Sequence, residues 1–199
     1  MSPRPRKASD EEVYAAAFRA MNRLGPGELT LADIATEAGV TASALVQRYG
    51  SKRELLLTLS TMAAGGTADL FAGLRVAHRS PLATLFAYAD CMADLGPTPA
   101  ALARNLGWLL VDLTDSAFKR NVQAQTRLTE QEIRKLIEEA FKAGELRQVE
   151  GRRINYTALA RVVSAQISGS LMSWAFYEEG TAASWIRRDL SVVLGPYQT

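Results

Sequence analysis

The sequence predicts an all-α protein: an N-terminal three-helix helix-turn-helix unit followed by a C-terminal helical bundle. Three observations carry that prediction. The 199 residues include 32 Ala and 25 Leu against 6 Ile and 11 Val. Ala and Leu favour helices, whereas β-branched residues favour strands. Apolar residues recur three and four positions apart along most of the chain, the period of a helix face. Gly and Pro mostly fall between those stretches, as at Gly25-Pro26-Gly27, Gly39, Gly50, Gly96-Pro97, Gly144, Gly151 and Gly180. A β-sandwich or barrel is excluded on these grounds.

Residues 1–9 read as a flexible basic arm with Arg4, Arg6 and Lys7. It is either a solubilising tail or a segment that lies on phosphates. From Asp10 to Leu24 the apolar positions Val13, Ala16, Ala17, Ala20, Met21 and Leu24 make an amphipathic helix. Its acidic start, Asp10-Glu11-Glu12, suits a helix N-terminus. Thr30 with Asp33 resembles a capping box for a short helix with Leu31, Ile34, Ala35 and Ala38 on one side. Gly39 is placed to end it in a left-handed turn. Thr41 then caps a second short helix, with Ala44, Leu45 and Tyr49 expected inward. Ser51 with Glu54 opens the next helix as a full capping box. Two short helices joined at a Gly after a longer one describe a helix-turn-helix. Further helices are expected at roughly 52–77, 81–95, 99–114, 116–143, 154–179 and 182–194, with a possible break at Gly65-Gly66. The domain division expected is 1–9, 10–52 and 53–199.

The segment from Thr30 to Leu57, TLADIATEAGVTASALVQRYGSKRELLL, resembles the TetR family of bacterial transcriptional regulators. The matching residues are Thr30, Ile34, Ala35, Ala38, Gly39, Val40, Leu45, Tyr49, Ser51, Lys52 and Leu55. The resemblance is strong over about residues 10–57, and beyond them it holds in layout only. It implies a double-stranded DNA operator as partner, a homodimer, and a variable helical domain that binds a small effector. Two positions depart from the family pattern: Val46 where Tyr is common, and Arg48 where His is common. Val46 cannot donate a hydrogen bond, whereas Arg48 keeps a fixed charge.

The residues point the same way without the family. From Gly39 to Arg53 there are three cations and no acid. On a helical wheel Ser43, Val46 and Gln47 oppose Leu45 and Tyr49. Thr41, Ala42 and Ser43 are small enough for close backbone approach. Gln47 both donates and accepts, as adenine recognition requires. Arg48, Lys52 and free N–H groups at Thr30 suit phosphates. The candidate DNA-binding residues are therefore Thr30, Thr41, Ala42, Ser43, Gln47, Arg48, Tyr49 and Lys52.

The C-terminal half offers weaker signals. Gln166 and Gln125 interrupt apolar stripes, and Asn105 shares a helix side with Trp108. A ligand pocket, an internal hydrogen bond or an interface would each explain a buried amide. Phe86, Asn105, Trp108, Gln125, Gln166 and Tyr177 are the candidate ligand-binding residues, for an apolar or amphipathic effector that is neutral or weakly polar. Ile167, Leu171, Trp174, Trp185, Leu190 and Val193 are the candidate dimer interface, with burial inside the chain as the alternative.

Whole-chain charge is +2, so any nucleic-acid signal must be local. One Cys (Cys91) and one His (His78) leave no intrachain disulfide, thiolate cluster or His-based zinc site. No metal, cofactor or catalytic motif is expected, so the chain does not read as an enzyme. No apolar run approaches the roughly 18 residues of a membrane span. The expected setting is cytoplasmic, without a membrane partner. The competing functional reading is a helical ligand-binding or adaptor protein without specific DNA binding, favoured by Val46.

Overall fold

The structure, a computed structural model, describes residues 8–148 and 153–198. Among them the chain forms α1 (Asp10–Arg23), α2 (Leu31–Ala38), α3 (Ala42–Tyr49), α4 (Lys52–Ala77), α5 (Pro81–Asp94), α6 (Pro99–Thr114), α7 (Ser116–Lys142), α8 (Tyr156–Tyr177) and α9 (Ala182–Leu194), and no strand. The fold class is all-α, as the composition and periodicity require. Arg4, Arg6 and Lys7 of the expected arm lie outside the described residues. Ala8 and Ser9, expected in the arm, belong instead to the folded unit: Ala8 is buried and Ser9 is the N-cap of α1.

The helices start and stop where the caps dictate. Ser9 and Glu12 form a reciprocal capping box, and so do Thr30 and Asp33. Ser51 Oγ accepts from the Glu54 N–H, but the Glu54 carboxylate pairs with Arg53 rather than closing the box. Gly65-Gly66 do not break α4, which runs on to Ala77. α8 ends at Tyr177 because Glu178 adopts φ 56°, a left-handed conformation unusual for a residue with a side chain.

Packing divides the chain into two compact units. The first holds α1 to α3, the start of α4 up to Ala64, and residues 103–122. Its core joins Val13, Ala17 and Ala20 of α1, Leu29, Ile34 and Ala35, Leu45 of α3, Leu55, Leu56 and Leu59 of α4, and Phe118. The second holds residues 65–102 with the described residues from 123 on. Its core joins Phe71, Leu85, Tyr88, Ile133, Leu136, Ile137, Val163, Ile167, Trp174, Ile186 and Leu190. The sequence placed a boundary after residue 52. The structure instead gives the first turns of α4 and most of α6 to the N-terminal unit. α4 is long and apolar enough to cross a membrane by length and composition, but Leu55, Leu59 and Phe71 on it are core residues of the two units.

Candidate nucleic-acid interface

The turn between α2 and α3 fixes the interface. Gly39 sits at φ 67°, ψ 32°, and Val40 N–H reaches back to Ala35 O at 3.0 Å. This closes the last turn of α2 and aims the chain into a second helix at once. Thr41 Oγ1 accepts from Ala44 N–H at 3.1 Å and lies 3.0 Å from Ser43 Oγ. α3 is held by one fully buried anchor, Leu45, with Ala42 and Tyr49 part-buried beside it. Ser43, Ala44, Val46, Gln47 and Arg48 are exposed. Ala44 is thus a correction: at 100° per residue it lies closer to Gln47 than to Leu45, so it faces out. The outward face is small at its N-terminal end and carries Gln47 in its C-terminal half.

The cations behave less uniformly. Arg48 is tied inward. Its guanidinium donates to Ala8 O and pairs with Asp10, both at 2.6 Å, and lies 5.3 Å over the Tyr49 ring. Tyr49 Oη donates to the same Asp10 carboxylate at 2.5 Å. Burial, then that bond, pushes the Tyr49 hydroxyl up to about 12. Arg48 and Tyr49 therefore bind the end of α3 to the start of α1. The sequence did not show this, because Asp10 lies 38 residues upstream of Arg48. Lys52 Nζ donates to Leu29 O at 2.6 Å and Pro26 O at 3.2 Å, which holds the α1–α2 loop. An ammonium has three protons, so one remains for an anion. Thr30 N–H is not free as expected. It donates to Asp33 Oδ2 at 2.8 Å, and the Thr30 bonds hold the Asp33 carboxyl below its usual range. Arg53 pairs with Asp115 through two bonds of 2.8 and 3.1 Å. The Ala117 N–H, then Arg53, lower the Asp115 carboxyl.

The expected ligand residues divide between the two units. Asn105 and Trp108 belong to the first unit, whereas Phe86, Gln125, Gln166 and Tyr177 belong to the second. Gln125 is exposed on α7. Tyr177 is 67 % exposed and stacks on Trp185 at 5.4 Å. Gln166 needs no ligand to explain it. Its Nε2 donates to Ser170 Oγ at 3.0 Å, and Ser170 donates to Asp189 at 2.7 Å, joining α8 to α9. Phe86 lies under the Arg187 guanidinium, 5.5 Å away.

Of the expected dimer residues, four are core and two part-buried. Ile167, Leu171, Trp174 and Leu190 are buried in the chain's own core, and Trp185 and Val193 pack against it. The apolar residues left uncovered on α8 are Val162, Met172 and Phe176, and on α9 Val192. Sequence periodicity could not separate these two sets, because α8 is apolar nearly all round.

Residues 13–59 match the family described as bacterial regulatory proteins, tetR family. The chain has no match among curated protein sequences. Its fold is that of several solved regulators. A TetR transcription regulator from Haloarcula marismortui is 18% identical, with a TM-score of 0.70 over 96% of this chain and 98% of that one. A TetR-family regulator from Agrobacterium tumefaciens is 18% identical, with a TM-score of 0.71 over 96% and 97%. SmeT, the repressor of a Stenotrophomonas maltophilia multidrug efflux pump, is 20% identical, with a TM-score of 0.65 over 97% and 92%.

Proposed function

We infer that this chain, a TetR-family regulator by its N-terminal domain, reads a specific DNA sequence through α3, as a homodimer on an inverted repeat. The observation that carries the reading is the outward face of α3. Ser43, Val46 and Gln47 are exposed on a helix anchored by Leu45, in a segment without acids. In this reading Gln47 contacts a base edge, and Thr41, Ala42, Ser43 and Lys52 position the backbone on phosphates. Arg48, Tyr49 and Thr30 hold α3 and α2 in place. The uncovered apolar positions Val162, Met172 and Phe176 of α8 and Val192 of α9 support a second copy as partner. The chain is a cytoplasmic repressor whose C-terminal helices respond to a small amphipathic effector. A ligand of that kind acts only through a difference in affinity between two states.

The test is selection and sequencing of DNA fragments retained by the purified protein, followed by gel shift. Affinity for the selected site should fall steeply with salt. Gln47→Ala should cost about 1–3 kcal/mol on that site and relax preference at one base position. Lys52→Ala should weaken all duplexes alike. The alternative, a helical binding protein without specific DNA recognition, draws on the exposed Val46 and the engaged Arg48. Equal binding to selected and scrambled duplexes would decide for it.

A further inference from the structure

Between Gly39 and Arg53 the sequence holds three cations and no acid, a run suited to gripping phosphate. Folding cancels much of that charge. Arg53 is paired with Asp115, and Arg48 with Asp10. Lys52 bonds to backbone carbonyls, which leave its charge in place. The Arg48 pair stands on α3 itself, one residue after the exposed Gln47. The Arg48 side chain is 39 % exposed and that of Asp10 53 %, so a phosphate able to reach the guanidinium would meet the carboxylate too. The pair is fixed from several sides. Asp10 Oδ1 takes Arg48 Nη2 at 2.6 Å and accepts from Tyr49 Oη at 2.5 Å, while Arg48 Nη1 donates to Ala8 O at 2.6 Å. Asp10 opens α1, whose first turn also carries Glu11 and Glu12. Charges act over about 10 Å at 0.1 M salt, far more than the separation within the pair. A phosphate beside this end of α3 therefore senses a nearly neutral group.

We propose that Asp10 sets the sequence-independent grip of this protein on DNA, by holding Arg48 in a neutral pair off the backbone phosphates. Asp10 is a positioning residue that acts through Arg48 and touches no DNA itself. A lone guanidinium at the end of α3 would displace a counterion from the duplex, and the neutral pair does not. Each copy thereby gives up one phosphate contact, and the choice of site stays with the base-reading face around Gln47. The inference rests on the reading of α3 as the helix that meets DNA.

The experiment measures the affinity of the full chain for a selected duplex and its scrambled counterpart over about 0.05–0.3 M salt. Asp10→Asn keeps the shape and the acceptor oxygen of the side chain but removes its charge. It should raise affinity for both duplexes by the same factor, roughly tenfold per copy at about 0.1 M salt, and steepen the salt slope by about 0.9 per copy. Adding Arg48→Gln to Asp10→Asn should restore the unmodified slope, and Asp10→Glu should never lose it. Circular dichroism checks that each variant is folded. A carboxylate that only orients α3 gives a different pattern: Asp10→Asn then weakens the selected duplex alone and leaves the slope unchanged. That pattern overturns the proposal, and so does a steeper slope that persists after Arg48→Gln is added. Equal binding of the two duplexes by the unmodified protein ends the specific-reader reading but not this one, because the slopes are still compared. A protein that binds neither duplex ends both.

Discussion

Gln47 and Arg48 are sequence neighbours with opposite surroundings. Gln47 projects from α3 with nothing on it, whereas Arg48 is held by Asp10 and Ala8 O. A salt bridge between two exposed side chains adds little stability, about 0–1 kcal/mol. The tie therefore orients more than it stabilises. Tyr88 lies at the other extreme. It is 7 % exposed and stacks on Phe71 at 4.7 Å, and burial pushes its hydroxyl up to about 12. The fold thus favours the neutral phenol. That contribution is complete below the unfolded value near 10 and is lost as pH rises toward 12, up to about 2–3 kcal/mol. Urea midpoints measured from about pH 9 to about pH 11.5 should fall less steeply in Tyr88→Phe than in the unmodified protein. Parallel decline of the two would show that Tyr88 ionises as freely folded as unfolded.

At the scale of elements, the α2–α3 turn depends on one backbone conformation. Gly39 has φ 67°, and a Cβ added there would meet no atom within 4 Å. The cost of a side chain is therefore conformational, not steric crowding by neighbours. Gly39→Ala should lower stability by about 1–2 kcal/mol, and Gly39→Asn by less, since Asn tolerates the left-handed region. Chemical denaturation checks the order. Equal stability of all three proteins would contradict the assigned turn. α6 supplies a second lesson in element economy. Arg104 Nε donates to Asn22 O at 3.0 Å, and a Cβ on Gly107 would come within 3.2 Å of Pro26 Cδ. Close approach of α6 to the α1–α2 loop explains why a Gly is kept inside that helix.

At the scale of the whole molecule, the uncovered residues of α8 and α9 make assembly testable. Phe176 is 84 % exposed and Val192 72 %. Phe176→Glu should give monomers in sedimentation that keep the helical circular dichroism of the unmodified protein, and its unfolding midpoint should no longer depend on protein concentration. Trp174→Ala should act differently, costing about 3–5 kcal/mol, because Trp174 fills the chain's own core and its Nε1 donates to Gly180 O. A dimer that survives Phe176→Glu would remove the α8 surface as the interface. A monomer engages one half-site instead of two, so affinity for the selected DNA site should fall when dimerisation is lost.

The sequence by itself determined the helices, their limits and the helix-turn-helix. Those depend on local physics: periodicity, the Thr30 and Thr41 caps, and Gly39 where φ must be positive. It also determined the outward Gln47, since one buried Leu45 on a short helix leaves few choices of orientation. Tertiary structure alone decided two things. It set which side of the broadly apolar α8 is core, because burying Ile167 and Trp174 depends on where α9 lies. It gave Arg48 to Asp10, Arg53 to Asp115 and Gln166 to Ser170, pairings for which side-chain chemistry names many partners and only folding selects one.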